Sequence, residues 1–465
     1  MVRRRIFKVV AASILLVFIG TTFSVTRYVL AHPNDPLQQN VASWARNKGL
    51  GSIVDQFETW THNEAPAVAP ADTLALVTFD SLPPETTTSV APTLPAPSVS
   101  TSVIPSSSSI TPGVTTTVAK KPTETVPPAH KVNAVATQSC PTHTTTTLVG
   151  ETTTTTTSTT TTTTSTTSTI PGDTTTTTTS TTTIPTRPLD IAATVQPALR
   201  GEGEWAAAMR VRTKPVVYAT SIRPLWCFGS VVATMAAYNP TLVHAALFNG
   251  NEVPGGKGWR NGNKVTGRAL PSLIASFNGG FRFEHHPGGY FTEGRTVQKL
   301  VKGYATFGIR ADGTSHVGVW GDDMHDDNTW TSLRQNLPPL VANGKSVYKQ
   351  YDKVDWGKDF GDKVYNFRSA VCTRTDGMIM FVAVGKVNIS MLADSLIVLG
   401  CNTAMELDIN GTWPHFSGYY DFGKKDRSGF TIDTRMGDPN RHLNGSTKDF
   451  FALFDPETLP KGAVK

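Results

Sequence analysis

Four cysteines in 465 residues are few and widely spaced. Cys140, Cys227, Cys372 and Cys401 form no CxxC, which excludes a zinc knuckle and a thioredoxin-type redox pair. Charge is also sparse: 17% of residues are charged, and the formal net charge is +6. No stripe of Lys and Arg alternates with aromatics, so nucleic acid is not an expected partner. The chain lacks a GxSxG elbow, an HExxH pair and a Walker loop. Pro254-Gly255-Gly256-Lys257-Gly258 has neither the spacing of a phosphate loop nor a Ser or Thr after its Lys, and reads as a plain turn. Asp322, Asp323, Asp326 and Asp327 crowd one loop with His325, without EF-hand spacing or a terminal Glu. No cofactor and no metal ligands are therefore predicted, and a divalent cation such as calcium is left open.

Hydrophobic residues make up only 38% of the chain, a value diluted by a tract that is nearly pure Thr and Ser in places. Residues 66–188 are mostly Pro, Ser, Thr, Ala and Val, and Thr152 to Thr169 contains only Thr and Ser. Such sequence buries too little to offset the entropy of ordering, so it is expected to be a disordered stalk, a composition typical of O-glycosylation. Ahead of it, residues 1–31 place Arg3, Arg4, Arg5 and Lys8 before the apolar run Val9 to Val25. That order marks a signal anchor or a signal peptide cut near Ala31. The expected location is the cell membrane, crossed once with the C-terminal part outside, or the exterior after cleavage. Residues 32–65 hold one amphipathic helix, Gln38 to His62, interrupted at Gly49 and Gly51.

Residues 189–465 are ordinary globular sequence, long enough for a full core. Val216 to Thr220 is a β-type run, Ser230 to Tyr238 is expected to be a short helix, and Leu273 to Phe277 a buried strand. Asp312-Gly313 and Asp376-Gly377 each separate two β-runs and predict hairpins. A helix capped by Ser390 and ended by Gly400 follows, then a strand over Thr403 to Asp408 and a last apolar strand over Phe450 to Phe454. Strands dominate and are joined by hairpins, so the class is α+β. Outside the cell one disulfide fits, most simply Cys372 with Cys401; buried free cysteines are the alternative.

The chemistry is expected at Met405 to Asp408. Side chains alternate along a strand, so Glu406 and Asp408 share a face with Cα atoms about 7 Å apart. Neighbouring carboxylates separate each other's pKa values, which supplies the acid and the base of glycosidic cleavage. Asn410 and Gly411 then turn the chain at an exposed place for binding groups. Asn278-Gly279-Gly280 is the second candidate: paired glycines let backbone N–H groups approach a ligand, and Asn278 can hold a sugar hydroxyl. Arg282 and Arg368 can each hold a phosphate. The adjacent His285 and His286 are the weakest candidates.

These motifs have an order. Asn278-Gly279-Gly280-Phe281 precedes Glu293-Gly294, then Arg368-Ser369-Ala370-Val371, then Leu399-Gly400-Cys401, then Ala404-Met405-Glu406-Leu407-Asp408. The order resembles that of the phosphodiester glycosidase family over roughly Thr213 to Phe454. Leu407, Asp408 and Gly411 fit the family's last motif, Leu-Asp-Gly-Gly-Gly-Ser. Thr412 keeps its hydroxyl, Ile409 and Asn410 replace two glycines, and Glu406 stands where Asn is common. The resemblance implies an α+β fold and an extracytoplasmic hydrolase that cleaves a sugar–phosphate diester in an envelope or secreted glycan. It carries over best onto Asn278, Arg368 and Asp408. The alternative is a glycan-binding module without catalysis, displayed on a stalk.

Overall fold

The computed structural model describes residues 18–30, 37–61, 66, 183–285, 288–351, 354, 356, 364–411 and 413–465. Most of the Thr-rich tract, residues 67–182, and residues 1–17 of the N-terminal segment lie outside the described residues. Residues 18–30 are helical. The amphipathic segment is two helices, Leu37–Asn47 and Gly51–Thr61, separated at Gly49, whose φ of 78° ends the first. Among the described residues no helix is long and apolar enough to cross a membrane.

Among the described residues eighteen strands follow in chain order. The first five are β1 (Ala206–Val211), β2 (Lys214–Ile222), β3 (Ala233–Tyr238), β4 (His244–Phe248) and β5 (Leu273–Asn278). Then come β6 (Tyr290–Thr292), β7 (Arg295–Gln298), β8 (Ala305–Arg310), β9 (Ser315–Val319), β10 (Trp330–Gln335), β11 (Val341–Ala342) and β12 (Lys345–Ser346). The last six are β13 (Asn366–Arg374), β14 (Ile379–Val387), β15 (Cys401–Ile409), β16 (Phe416–Tyr419), β17 (Gly429–Thr431) and β18 (Phe450–Phe454). Three sheets result, with orders β1-β2-β3-β14-β13-β15-β11-β12, β7-β6-β10-β8-β9 and β17-β16-β5-β18-β4. The domain is sheet-dominated with few helices.

One core lies between the three sheets. Phe277 of β5 is at its centre, with ring contacts to Phe416 and Phe451 of its own sheet, Phe307 of the second sheet and Phe381 of the first. A second core fills the opposite face of the large sheet beneath the helix Ile389–Val398. The packed body begins before residue 189: Ile184 joins this second core, and Asn239 donates to the carbonyls of Ile184 and Pro185.

Both Asp-Gly hairpins form, as β8–β9 and β13–β14, with Gly313 and Gly377 at positive φ. The expected helix over Ser230 to Tyr238 is instead β3, buried throughout in the middle of the large sheet. An apolar run buried on both sides carries no alternation, so periodicity cannot tell it from a helix. The cap of Ile389–Val398 is Asn388, which accepts from the N–H of Met391 at 2.9 Å; Ser390 is already in the first turn. Cys372 and Cys401 are bridged, joining β13 to the start of β15, and Cys227 is disulfide-bonded as well, so the free-cysteine alternative does not hold.

Candidate functional site

The neighbouring ends of β5, β13 and β15 meet the segment that leads into β18. Pairing between β13 and β15 slips by one residue between Arg368↔Ile409 and Ala370↔Glu406, so Leu407 and Asp408 together face Ser369. A bulge of this kind re-aims side chains. Leu407 packs in the core between the sheets and Ile409 in the core beneath the helix, so the strand exchanges faces across Asp408. Glu406 and Asp408 still interact across this bulge, the Asp408 charge pushing the Glu406 carboxyl up, and each carboxylate has its own cation.

Glu406 pairs with Arg368 at 2.8 Å, and both side chains are fully buried. The same guanidinium donates to the carbonyls of Val387, Trp356 and Val364. Arg368 was expected to hold a phosphate; its donors are instead spent inside the protein, where neither it nor Glu406 meets solvent. Burial raises the Glu406 carboxyl above its ordinary value against the pull of Arg368, and Asp408 adds only a lesser push.

Asp408 accepts from the Lys448 ammonium, and both side chains are buried. Burial pushes the Asp408 carboxyl up and the Lys448 ammonium down, each opposed by attraction to the other. The Lys448 ammonium also lies 4.6 Å from the ring centre of Trp413, which has the Arg441 guanidinium at 5.3 Å. Arg282, whose charge is felt at Lys448, is partly exposed and pairs with Glu252. Asn410 and Gly411 turn the chain after Asp408 with φ of 80° and 49°. The cluster thus runs from the mostly buried Arg282 to the buried Lys448 and Asp408.

Asn278 is fixed rather than open. Its amide nitrogen donates to the Gly279 carbonyl and to Ser369 Oγ, and its oxygen accepts from the His415 N–H. Ser369 Oγ in turn donates to the Asp408 carbonyl and accepts from the Asp408 N–H, both at 3.1 Å. Asn278 therefore holds the ends of three strands in register. The glycines have a similar explanation. A Cβ on Gly279 would lie 2.1 Å from the Asp449 carboxylate, and one on Gly280 would lie 2.8 Å from Asn336 Oδ1. They make room for the buried Arg334–Asp449 pair and for Asn336.

His285 is paired with Glu284, and His286 lies outside the described residues. Among the described residues no three His, Cys, Asp or Glu are grouped to hold a metal ion. Sequence reasoning did not single out Lys448, Asp449, Trp413 or Arg334. The available signal was a Lys-Asp pair directly ahead of a wholly apolar strand, at Lys448-Asp449.

Residues 272–408 match the family model described as phosphodiester glycosidase. It is the family that the order of motifs resembles, and the match ends on Asp408. Among solved structures, the catalytic domain of zebrafish N-acetylglucosamine-1-phosphodiester α-N-acetylglucosaminidase, auto-inhibited by its pro-peptide, is 17% identical with a TM-score of 0.35, covering 54% of this chain and 87% of that one. A hypothetical protein from Synechocystis is 10% identical with a TM-score of 0.33, covering 54% of this chain and 64% of that one. No curated protein matches the chain.

Proposed function

We propose that the domain hydrolyses a glycosyl phosphodiester, breaking the bond between the anomeric carbon and the phosphate oxygen. The observation that carries this reading is the buried Asp408–Lys448 pair beside Arg282, at the end of the segment that matches the phosphodiester glycosidase model. A phosphodiester carries one negative charge, which Lys448 and Arg282 meet by exchanging their present partners Asp408 and Glu252. Asp408 is the base: it takes a proton from water as the water oxygen bonds to the anomeric carbon. The electron pair of the broken C–O bond leaves on the phosphate, giving a free sugar and a phosphate monoester. A phosphate monoester departs easily once its charge is met, so a fixed cation serves better here than a proton donor. The raised Asp408 pKa suits a general base. Glu406 and Arg368 act by positioning, since they fix β13 against β15.

The substrate is read as an envelope or secreted glycan and the location as extracytoplasmic, held at the membrane or released. The Arg cluster before the apolar run supports this, as does the Cys372–Cys401 bridge, since such bridges persist in oxidising compartments.

Asp408→Asn is expected to lower sugar release from a model sugar-1-phosphodiester by at least ~100-fold per folded molecule, assayed below a melting temperature that the stranded Lys448 charge lowers. Unchanged turnover removes the assignment. The internally satisfied Asn278 and Arg368 favour one other reading, a glycan-binding module without turnover. Binding of glycan by the wild-type protein with no product would select it.

A further inference from the structure

A second cationic groove lies away from Asp408 and Lys448 and shares no lining residue with them. It is a cavity of about 820 Å³, within the range of pockets that hold small ligands. Arg260, Arg295, Arg310, Lys461 and Lys465 line it. The carboxylate of Glu293 also lines it, but accepts from the backbone N–H groups of Arg260 and Asn261. Even with the α-carboxylate of Lys465 counted, cations outnumber carboxylates there. Arg310 pairs with Asp327, whereas among the described residues no carboxylate pairs with Arg260, Arg295 or Lys461.

Two of these arginines are held in place. Arg295 stacks on Trp259 at 4.3 Å and donates to the carbonyls of Lys257 and Gly258. Arg260 donates to the Gly462 carbonyl at 2.6 Å. A guanidinium has five N–H donors, so both retain donors for a ligand in a fixed geometry. The loop joining β4 to β5 borders both regions: Gly250 packs on the Lys448 backbone, and Gly258 and Arg260 line the groove.

From this geometry we propose that the groove binds a short stretch of an anionic glycan, one whose sugars bear phosphate or carboxylate groups. The groove would hold the polymer beside the domain, independently of whether Asp408 carries out the proposed hydrolysis. Phe291, partly exposed in the lining, gives a sugar ring an apolar surface beside the charges, while Trp330 is buried with the Arg310 guanidinium 4.0 Å over its ring.

The test is calorimetric titration of the full chain with four probes: oligogalacturonate, phosphorylated dextran, neutral dextran and a single-stranded oligonucleotide. The two anionic glycans should bind, with affinity falling as salt rises, and neutral dextran should not. Arg295→Gln combined with Lys461→Gln should weaken both by tenfold or more while melting temperature and binding at Asp408 are unchanged. Preference between the two anionic probes identifies the charged group. The proposal is overturned if neither anionic glycan binds, if the double variant binds as wild type does, if neutral dextran binds equally well, or if the oligonucleotide binds more tightly than either glycan.

Discussion

The Lys448 ammonium donates to the Asp408 carboxylate inside the protein, joining residues 40 apart in sequence. Removing one partner strands the other charge in a low-dielectric place, which typically costs about 3–5 kcal/mol. Lys448→Met is therefore expected to destabilise the domain by an amount of this order. Asp408→Asn with Lys448→Met should recover part of the loss, because no unpaired charge remains. A double-mutant cycle by chemical denaturation measures the coupling, and strictly additive effects would show that the pair does not interact.

Gly279 is a packing requirement. A methyl group there meets the Asp449 carboxylate at 2.1 Å, so Gly279→Ala should destabilise by about 1–3 kcal/mol. Gly262 has no atom within 4 Å of the same position and serves as the control. Equal denaturation midpoints for the two variants would contradict this account of the Asn278-Gly279-Gly280 motif.

Much of this was legible in the sequence and some was not, for physical reasons. The Asp-Gly hairpins and the strand that begins at Leu273 were readable because turn chemistry and apolar runs are local. The Ser230–Tyr238 segment was misread because burial on both faces removes the alternation that marks a strand. Asp408 was found from alternation and motif order, but its cation was not, since a bulge re-aims the side chain and Lys448 reaches it only through tertiary packing. The glycines were legible as places of close approach, and the group that approaches Gly279 is Asp449.

His415 and His442 give the fold a pH dependence of known sign. Burial holds both imidazoles well below their ordinary value, and the nearby Arg441 adds to this, so both are neutral in the folded protein. In the unfolded chain they take up protons near pH 6.5. The unfolded state then binds more protons, so stability is lost as pH falls below about 6.5 toward the depressed folded values, by at most about 1.4 kcal/mol per pH unit for each histidine. Urea midpoints from pH 7.5 to 5 should fall, and the slope should flatten in His415→Gln/His442→Gln. A slope unchanged by the double variant would assign the dependence to other groups.

The Cys372–Cys401 bridge closes a separation of 29 residues between two paired strands. Cys372→Ala with Cys401→Ala should lower stability by about 3 kcal/mol, read from denaturation under non-reducing conditions. No change would mean that the sheet alone fixes these strands.

The central claim, cleavage between sugar and phosphate, is tested most directly by running the wild-type reaction on a sugar-1-phosphodiester in ¹⁸O-labelled water and weighing both products. The account predicts the label on the anomeric hydroxyl of the released sugar and none in the phosphate monoester. Label in the phosphate, or no product at all, would contradict it.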